Sequence, residues 1–214
     1  SRPNELLTQW NKIPCITDFL KQAGYNVQAI SDNTLNFQGQ KAFMMQHGMS
    51  CVDKHVHKFN SDFELYHYLS ESVVPTLVKK YKEESQPFSL TILNEDTHPA
   101  YRYSKKCTHL NPKLTRALQS YTCYDEAFSL FYDTIYNKYG LNENNTVMII
   151  CGDHLSMGFF GDSFQNDRKL VILFPFMKKN MITKPITYYD IAPTLLDLLG
   201  IKYHPKFPFG ENIF

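Results

Sequence analysis

Thr146 to Gly158, TVMIICGDHLSMG, is the stretch on which the fold turns. Val147 to Cys151 is apolar and runs straight into Gly152-Asp153-His154. An apolar run of that length bounded by turn residues reads as a buried parallel strand. Ligands in open α/β sheets bind beyond the carboxyl ends of the strands, and there the sequence sets a carboxylate beside an imidazole. Side chains alternate between faces within a strand. Leaving the sheet at Gly152 breaks that alternation and lets Asp153 and His154 turn toward one metal ion. Such a pair suits zinc or manganese better than calcium, which prefers all-oxygen shells. The dipeptide alone leaves a second reading open, in which Asp153 caps the next turn and His154 is exposed.

The segments around this strand supply the rest of an α/β pattern. Residues 13–24 carry apolar positions at helical spacing and end in Gly24, a helix stop. Tyr25 to Ile30 reads as a strand, followed by the turn-like Ser31-Asp32-Asn33, and residues 35–48 as a loop and short helix. A helical pattern runs from Asp62 to Tyr81, interrupted near Pro75. Phe88 to Leu93 is a buried strand ending in the polar turn Asn94-Glu95-Asp96-Thr97-His98-Pro99. Tyr121 to Tyr139 is an amphipathic helix stopped by Gly140, with Asp125, Glu126 and Asp133 on its solvated face. Leu170 to Phe174 is a further strand, and Tyr189 to Gly200 a helix starting around Pro193. Strands alternating with helices imply an α/β fold with a mainly parallel sheet flanked by helices on both faces.

With 214 residues, the chain suffices for one sizeable core and one domain. Its 22 basic and 21 acidic residues leave a formal net charge of +1, which gives no electrostatic case for a nucleic-acid partner or for bulk attraction to a membrane surface. No apolar run approaches the roughly 20 residues that span a bilayer. The chain begins Ser1-Arg2-Pro3-Asn4 without an initiator Met, as expected of a piece of a longer protein. Five cysteines leave at least one unpaired within the chain. A Cys107–Cys123 disulfide would close the polar stretch between them and imply an oxidising compartment. Cys15 and Cys51 are a weaker possible pair, and Cys151 reads as a small core residue. Asn144-Asn145-Thr146 is an acceptor sequon for N-glycosylation. The run from Cys51 to His57 has metal-capable side chains at Cys51, Asp53, His55 and His57. Its spacing fits no familiar pattern of paired ligands, so a polar surface strand or loop is expected there.

Four segments in order resemble the sulfatase-like branch of the alkaline phosphatase superfamily, and within it the phosphoglycerol and phosphoethanolamine transferases of cell envelopes. They are CITDFLKQAGYNVQAISD, LTILNEDTHPAY, NNTVMIICGDH and TYYDIAPTLLDLLGI. The second is similar to the strand and loop that carry the family's substrate-binding histidine, the third to its metal-binding strand, and the fourth to its C-terminal helix motif. The resemblance covers the C-terminal two-thirds of the family's domain, so residues 1–214 are expected to be a single catalytic-domain fragment. It implies that Asp153 and His154 hold one divalent metal ion, manganese or zinc. It also implies that His98 contacts the phosphate-bearing group. Arg102, four residues past His98, is the better candidate of two arginines for binding phosphate bidentately. Some envelope transferases carry a bridge where Cys107 and Cys123 stand.

This chain departs from the family in two places. The family's nucleophile and first acidic metal ligand lie upstream of the helix that begins here near Ile13, and Ser1, Thr8 and Cys15 are poor substitutes. No catalytic nucleophile is therefore assigned, and the isolated chain is expected to be nearly inactive. Many relatives also place another ligand histidine shortly after the Asp-His pair. Here LSMGFFGDSF has none, which favours a single-metal site. The implied activity is metal-dependent transfer of a phosphate-bearing head group, of phosphoglycerol or phosphoethanolamine type, through a covalent enzyme intermediate. A sulfuric-ester or phosphodiester hydrolase and a non-catalytic glycan- or protein-binding relative are the alternatives. The implied substrate is a phosphate- or sulfate-bearing lipid or glycan outside the cytoplasm, with any membrane attachment through an upstream anchor.

Overall fold

The computed structural model describes residues 14–152, 172–173, 185–204, 207 and 209–214. Helix α1 (Ile16–Gln22) is capped at its start by Asp18, whose carboxylate accepts the Cys15 N–H at 2.7 Å. It stops before Gly24, which adopts φ +87°, the left-handed conformation glycine reaches without steric cost. Strand β1 (Asn26–Ser31) follows, then α2 (Gln40–Gln46) and the short β2 (Ser50–Val52). Helix α3 (Asp62–Tyr68) opens on Ser61, whose Oγ accepts the Glu64 N–H. A π-helical turn over Leu69–Val73 joins it to α4 (Val74–Glu84). Pro75 lies in the first turn of α4, where its missing N–H costs no hydrogen bond, so the expected interruption takes the form of this wide turn.

Strand β3 (Phe88–Leu93) pairs parallel with β1 from Asn26↔Phe88 to Ser31↔Leu93, and β2 pairs parallel with the other edge of β1. The sheet order is therefore β2-β1-β3. Alternation along β1 sends successive side chains to opposite faces. Ile30 joins Leu65, Tyr66, Leu69, Val74, Leu77 and Phe131 on one side. Val27 joins Phe19, Leu20 and Leu196 on the other. Helices cover both faces, as the pattern predicts.

Helix α5 (Arg116–Asp133) begins five residues earlier than the apolar periodicity suggests, because Thr115 accepts the Leu118 N–H and caps it there. It continues through a π turn to Lys138. Helix α6 (Ile191–Leu198) follows a 3₁₀ turn over Tyr188–Asp190, so the helix begins two residues before Pro193. The segment from Val147 departs from expectation. Only Ile150–Cys151 forms a strand, β4, and it pairs antiparallel with β5 (Ile172–Leu173). Val147 to Ile150 are half-buried and Cys151 is exposed. An apolar run records a tendency to be buried; it carries no information on the direction of the partner strand.

Disulfide pairing also separates the two candidates. Cys107 and Cys123 are bonded, with Cα atoms 5.4 Å apart, whereas Cys15 and Cys51 are not in disulfides. Among the described residues no helix is long and apolar enough to cross a membrane.

Candidate active site

Parallel pairing brings the ends of β1 and β3 out at the same edge, with Ser31 level with Leu93. Asp32 therefore leaves the sheet beside Asn94-Glu95-Asp96. Asp62, the first residue of α3, meets them from the helix side. Its Oδ1 accepts the Glu95 N–H at 3.0 Å, and its Oδ2 accepts the Asp96 N–H and the Asn94 side-chain amide, each at 3.2 Å. Asp96 returns the contact, its Oδ2 accepting the Asp62 N–H at 2.7 Å. The two aspartates thus clasp each other's backbone and lock the loop after β3 to the start of α3. Ser120 of α5 adds a third tie, donating to the Asp96 carbonyl at 2.6 Å.

Asp32, Asp62 and Asp96 are all buried, and one carboxylate oxygen from each lies within 4.8 Å of the others. Arg102 is the cation that meets them. Its guanidinium lies 2.9 Å from Asp32 Oδ2, 3.1 Å from Asp96 Oδ1 and 3.5 Å from Glu95. Among the described residues, one guanidinium for three buried carboxylates leaves negative charge uncompensated. Burial, followed by the charge of Asp62, pushes the Asp32 carboxyl up to about 8 against the pull of Arg102. Burial and Asp96 push Asp62 up to about 6 against the hydrogen bonds it accepts. At neutral pH the cluster is held partly protonated.

His98 sits on the loop this network fixes. It is exposed, with Nδ1 3.2 Å from the Pro99 carbonyl oxygen. Arg102, read from sequence as a phosphate ligand, has three carboxylate partners, and its side chain is 44% exposed. Asp153 and His154 lie outside the described residues. The residue before them, Gly152, ends the described run after β4, and its carbonyl accepts a hydrogen bond from the Tyr188 hydroxyl.

Sequence reasoning missed the aspartate cluster: an Asp directly after β1 and another just after β3 become neighbours only through the parallel pairing of the two strands. The Cys51–His57 run is the polar surface strand and loop expected, with residues 54–58 exposed; the burial of Asp53 is what the sequence did not announce. Asp53 is fully buried and accepts from the Leu35 N–H, the His55 N–H and Lys41 Nζ, so it ties the α2 loop to the end of β2. His55 reaches Thr34 and His57 stacks on Tyr68. Among the described residues these side chains do not converge as a metal group. Glu126 likewise is no solvated residue. It accepts from Thr108 N–H, Thr108 Oγ1 and His109 N–H, fastening the disulfide loop onto α5.

Comparison with known proteins places this geometry in context. The sequence model of the Sulfatase family matches residues 4–201. Phosphoglycerol transferase I of Escherichia coli is 25% identical over 210 residues, covering 87% of this chain and 26% of that protein. The Shigella flexneri protein of the same name is 26% identical over 211 residues, with the same coverage. The chain therefore spans about a quarter of the length of these relatives. Among solved structures, the lipoteichoic acid synthase LtaP from Listeria monocytogenes superposes with a TM-score of 0.69 at 19% identity, over 94% of this chain and 56% of that one. A protein in the alkaline phosphatase superfamily from Vibrio parahaemolyticus gives 0.67 at 23% identity, over 87% of this chain and 47% of that one. These two likenesses establish the fold. Matched over most of its length, with a parallel sheet flanked by helices on both faces, the chain belongs to the sulfatase family.

Proposed function

We propose that this chain forms part of a transferase that moves a phosphate-bearing head group, of phosphoglycerol type, outside the cytoplasm. The observation that carries the reading is the similarity to phosphoglycerol transferase I across 87% of the chain. The exposed His98 on its anchored loop supports it as well. His98 binds the head group of a phosphate-bearing lipid or glycan and donates a hydrogen bond to a phosphoryl or leaving oxygen. Arg102 holds the loop through Asp32 and Asp96, and the exposed part of its side chain faces the same substrate. Asp153 and His154 supply a carboxylate oxygen and an imidazole nitrogen, a donor set that fits manganese or zinc. Such an ion, when bound, neutralises charge on the transferring group and lowers the pKa of a nucleophile. The nucleophile and a further acidic ligand belong to sequence preceding α1, and attack through that nucleophile gives a covalent enzyme intermediate. The Cys107–Cys123 disulfide supports an oxidising, extracytoplasmic compartment.

The test uses manganese, which favours carboxylate and imidazole over thiolate ligands. Elemental analysis should find about one manganese per chain and none in Asp153→Ala or His154→Ala. Calorimetric titration of the loaded chain with glycerol 1-phosphate should weaken tenfold or more in His98→Ala, the loss of one charge-assisted hydrogen bond being about 1.5–3 kcal/mol. Manganese retained in both variants, or binding by the loaded chain indifferent to His98, counts against the proposal.

A further inference from the structure

A second cluster lies where the start of α1 meets the end of α2. Cys15 precedes α1, Asp18 stands in its first turn, and His47 follows α2 directly. Asp18 Oδ2 lies 2.7 Å from His47 Nδ1 and accepts the Cys15 N–H at the same distance. One ligand atom from each of the three side chains lies within 4.8 Å of the other two. The His47 ring is 95% buried, its side chain showing only 5% exposure. Its Nε2 has no hydrogen-bond partner among the described residues. A capping role for Asp18 explains the Cys15 N–H and the His47 Nδ1 contact. The same capping box turns the thiol toward the Asp18 N–H, but it leaves the buried His47 Nε2 unsatisfied, at a cost of about 1–3 kcal/mol.

Thiol, imidazole and carboxylate together are the donor set of zinc. We infer that Cys15, Asp18 and His47 form a zinc site distinct from the Asp153–His154 pair. Tetrahedral zinc sets its ligand atoms about 3.5 Å apart, from bond lengths of roughly 2.0–2.3 Å. Reaching that spacing moves Asp18 Oδ2 and His47 Nδ1 apart from their 2.7 Å contact, and the imidazole gives one nitrogen to the ion while its proton resides on the other. Three protein ligands leave a fourth position for water. The ion would fasten the start of α1, which packs through Phe19 and Leu20 beneath the sheet, to the corner between α2 and β2. Asp18 and Cys15 are only partly buried, so the site is open to an arriving ion.

The experiment places the whole chain in an Asp153→Ala/His154→Ala background, which removes the other expected ligand pair. Zinc is titrated against a chromophoric chelator, and cobalt is substituted to read thiolate coordination by its charge-transfer absorption. One zinc per chain is expected, with affinity falling at least a hundredfold on adding Cys15→Ser or His47→Gln. The cobalt–thiolate band should vanish in Cys15→Ser, and zinc should protect Cys15 from alkylation by iodoacetamide. Circular dichroism identifies any variant that fails to fold, and the alkylation readout needs no substitution at the site. No zinc in the Asp153→Ala/His154→Ala chain, unchanged affinity in folded Cys15→Ser, or alkylation indifferent to zinc overturns the inference.

Discussion

Asp32 shows how a single residue sets the pH response of this edge of the sheet. Its carboxyl is raised to about 8 because burial and the neighbouring Asp62 disfavour its charge. In the unfolded chain it titrates near 3.9, roughly. Between those values the folded state holds a proton that the unfolded state has released. Stability therefore falls as pH rises from about 4 to about 8, then levels off. Asp62, raised to about 6, acts in the same direction over the lower part of that window. Asn at position 32 preserves the shape and cannot ionise. Denaturant unfolding at pH 5 and pH 8 should show the parent losing stability on the order of 1–3 kcal/mol more than Asp32→Asn across that interval. An equal loss in both would mean that Arg102 already compensates the cluster.

The loop from Cys107 to Cys123 makes the corresponding case for elements. It is held by the disulfide, whose loop of this length contributes about 3 kcal/mol in the chain-entropy view, and by Glu126 on the next turn of α5. Burial would raise the Glu126 carboxyl, but the donors from Thr108 and His109 prevail and bring it to about 2. Glu126→Ala should cost about 1–3 kcal/mol and speed amide exchange at Thr108 and His109 while the disulfide stays intact. Unchanged exchange there would show that the disulfide alone orders the loop. The role of Glu126 was hidden in the sequence because helical periodicity separates apolar from polar faces and says nothing of a loop folding back over the polar one. Strands β1 and β3 were legible, the latter to the residue, because both alternate apolar and polar residues and are followed by turn residues. Strand β2 was left open between strand and loop, because Ser50-Cys51-Val52 is too short to announce itself. The antiparallel pairing of β4 was missed for a different reason, since a strand's partner is a matter of tertiary arrangement. In the candidate site, His98 was singled out by the resemblance of its segment to the family's, and it lies on the loop after β3 as that segment implies. The aspartate cluster was not, since only the register of β1 against β3 reveals that Asp32 and Asp96 are neighbours.

At the scale of the molecule, the central strand divides the hydrophobic interior into two clusters. Leu65, fully buried on the α3–α5 face, and Leu196, fully buried on the α1–α6 face, have no cluster in common. Each leucine trimmed to alanine should cost about 2–5 kcal/mol, through lost burial and the cavity left behind. Substitutions without shared neighbours add to within roughly 0.3–0.5 kcal/mol, so the double variant Leu65→Ala/Leu196→Ala should lose the sum of the two single losses. Equilibrium unfolding of the four proteins measures this directly. The result also bears on function, because the clasp of Asp62 and Asp96 rests on the α3–α5 face alone. If the faces are independent, Leu196→Ala should leave the pH dependence contributed by Asp32 intact while Leu65→Ala diminishes it. A coupling of more than about 1 kcal/mol would show instead that the sheet transmits packing changes from one face to the other, and the loop bearing His98 would then feel both.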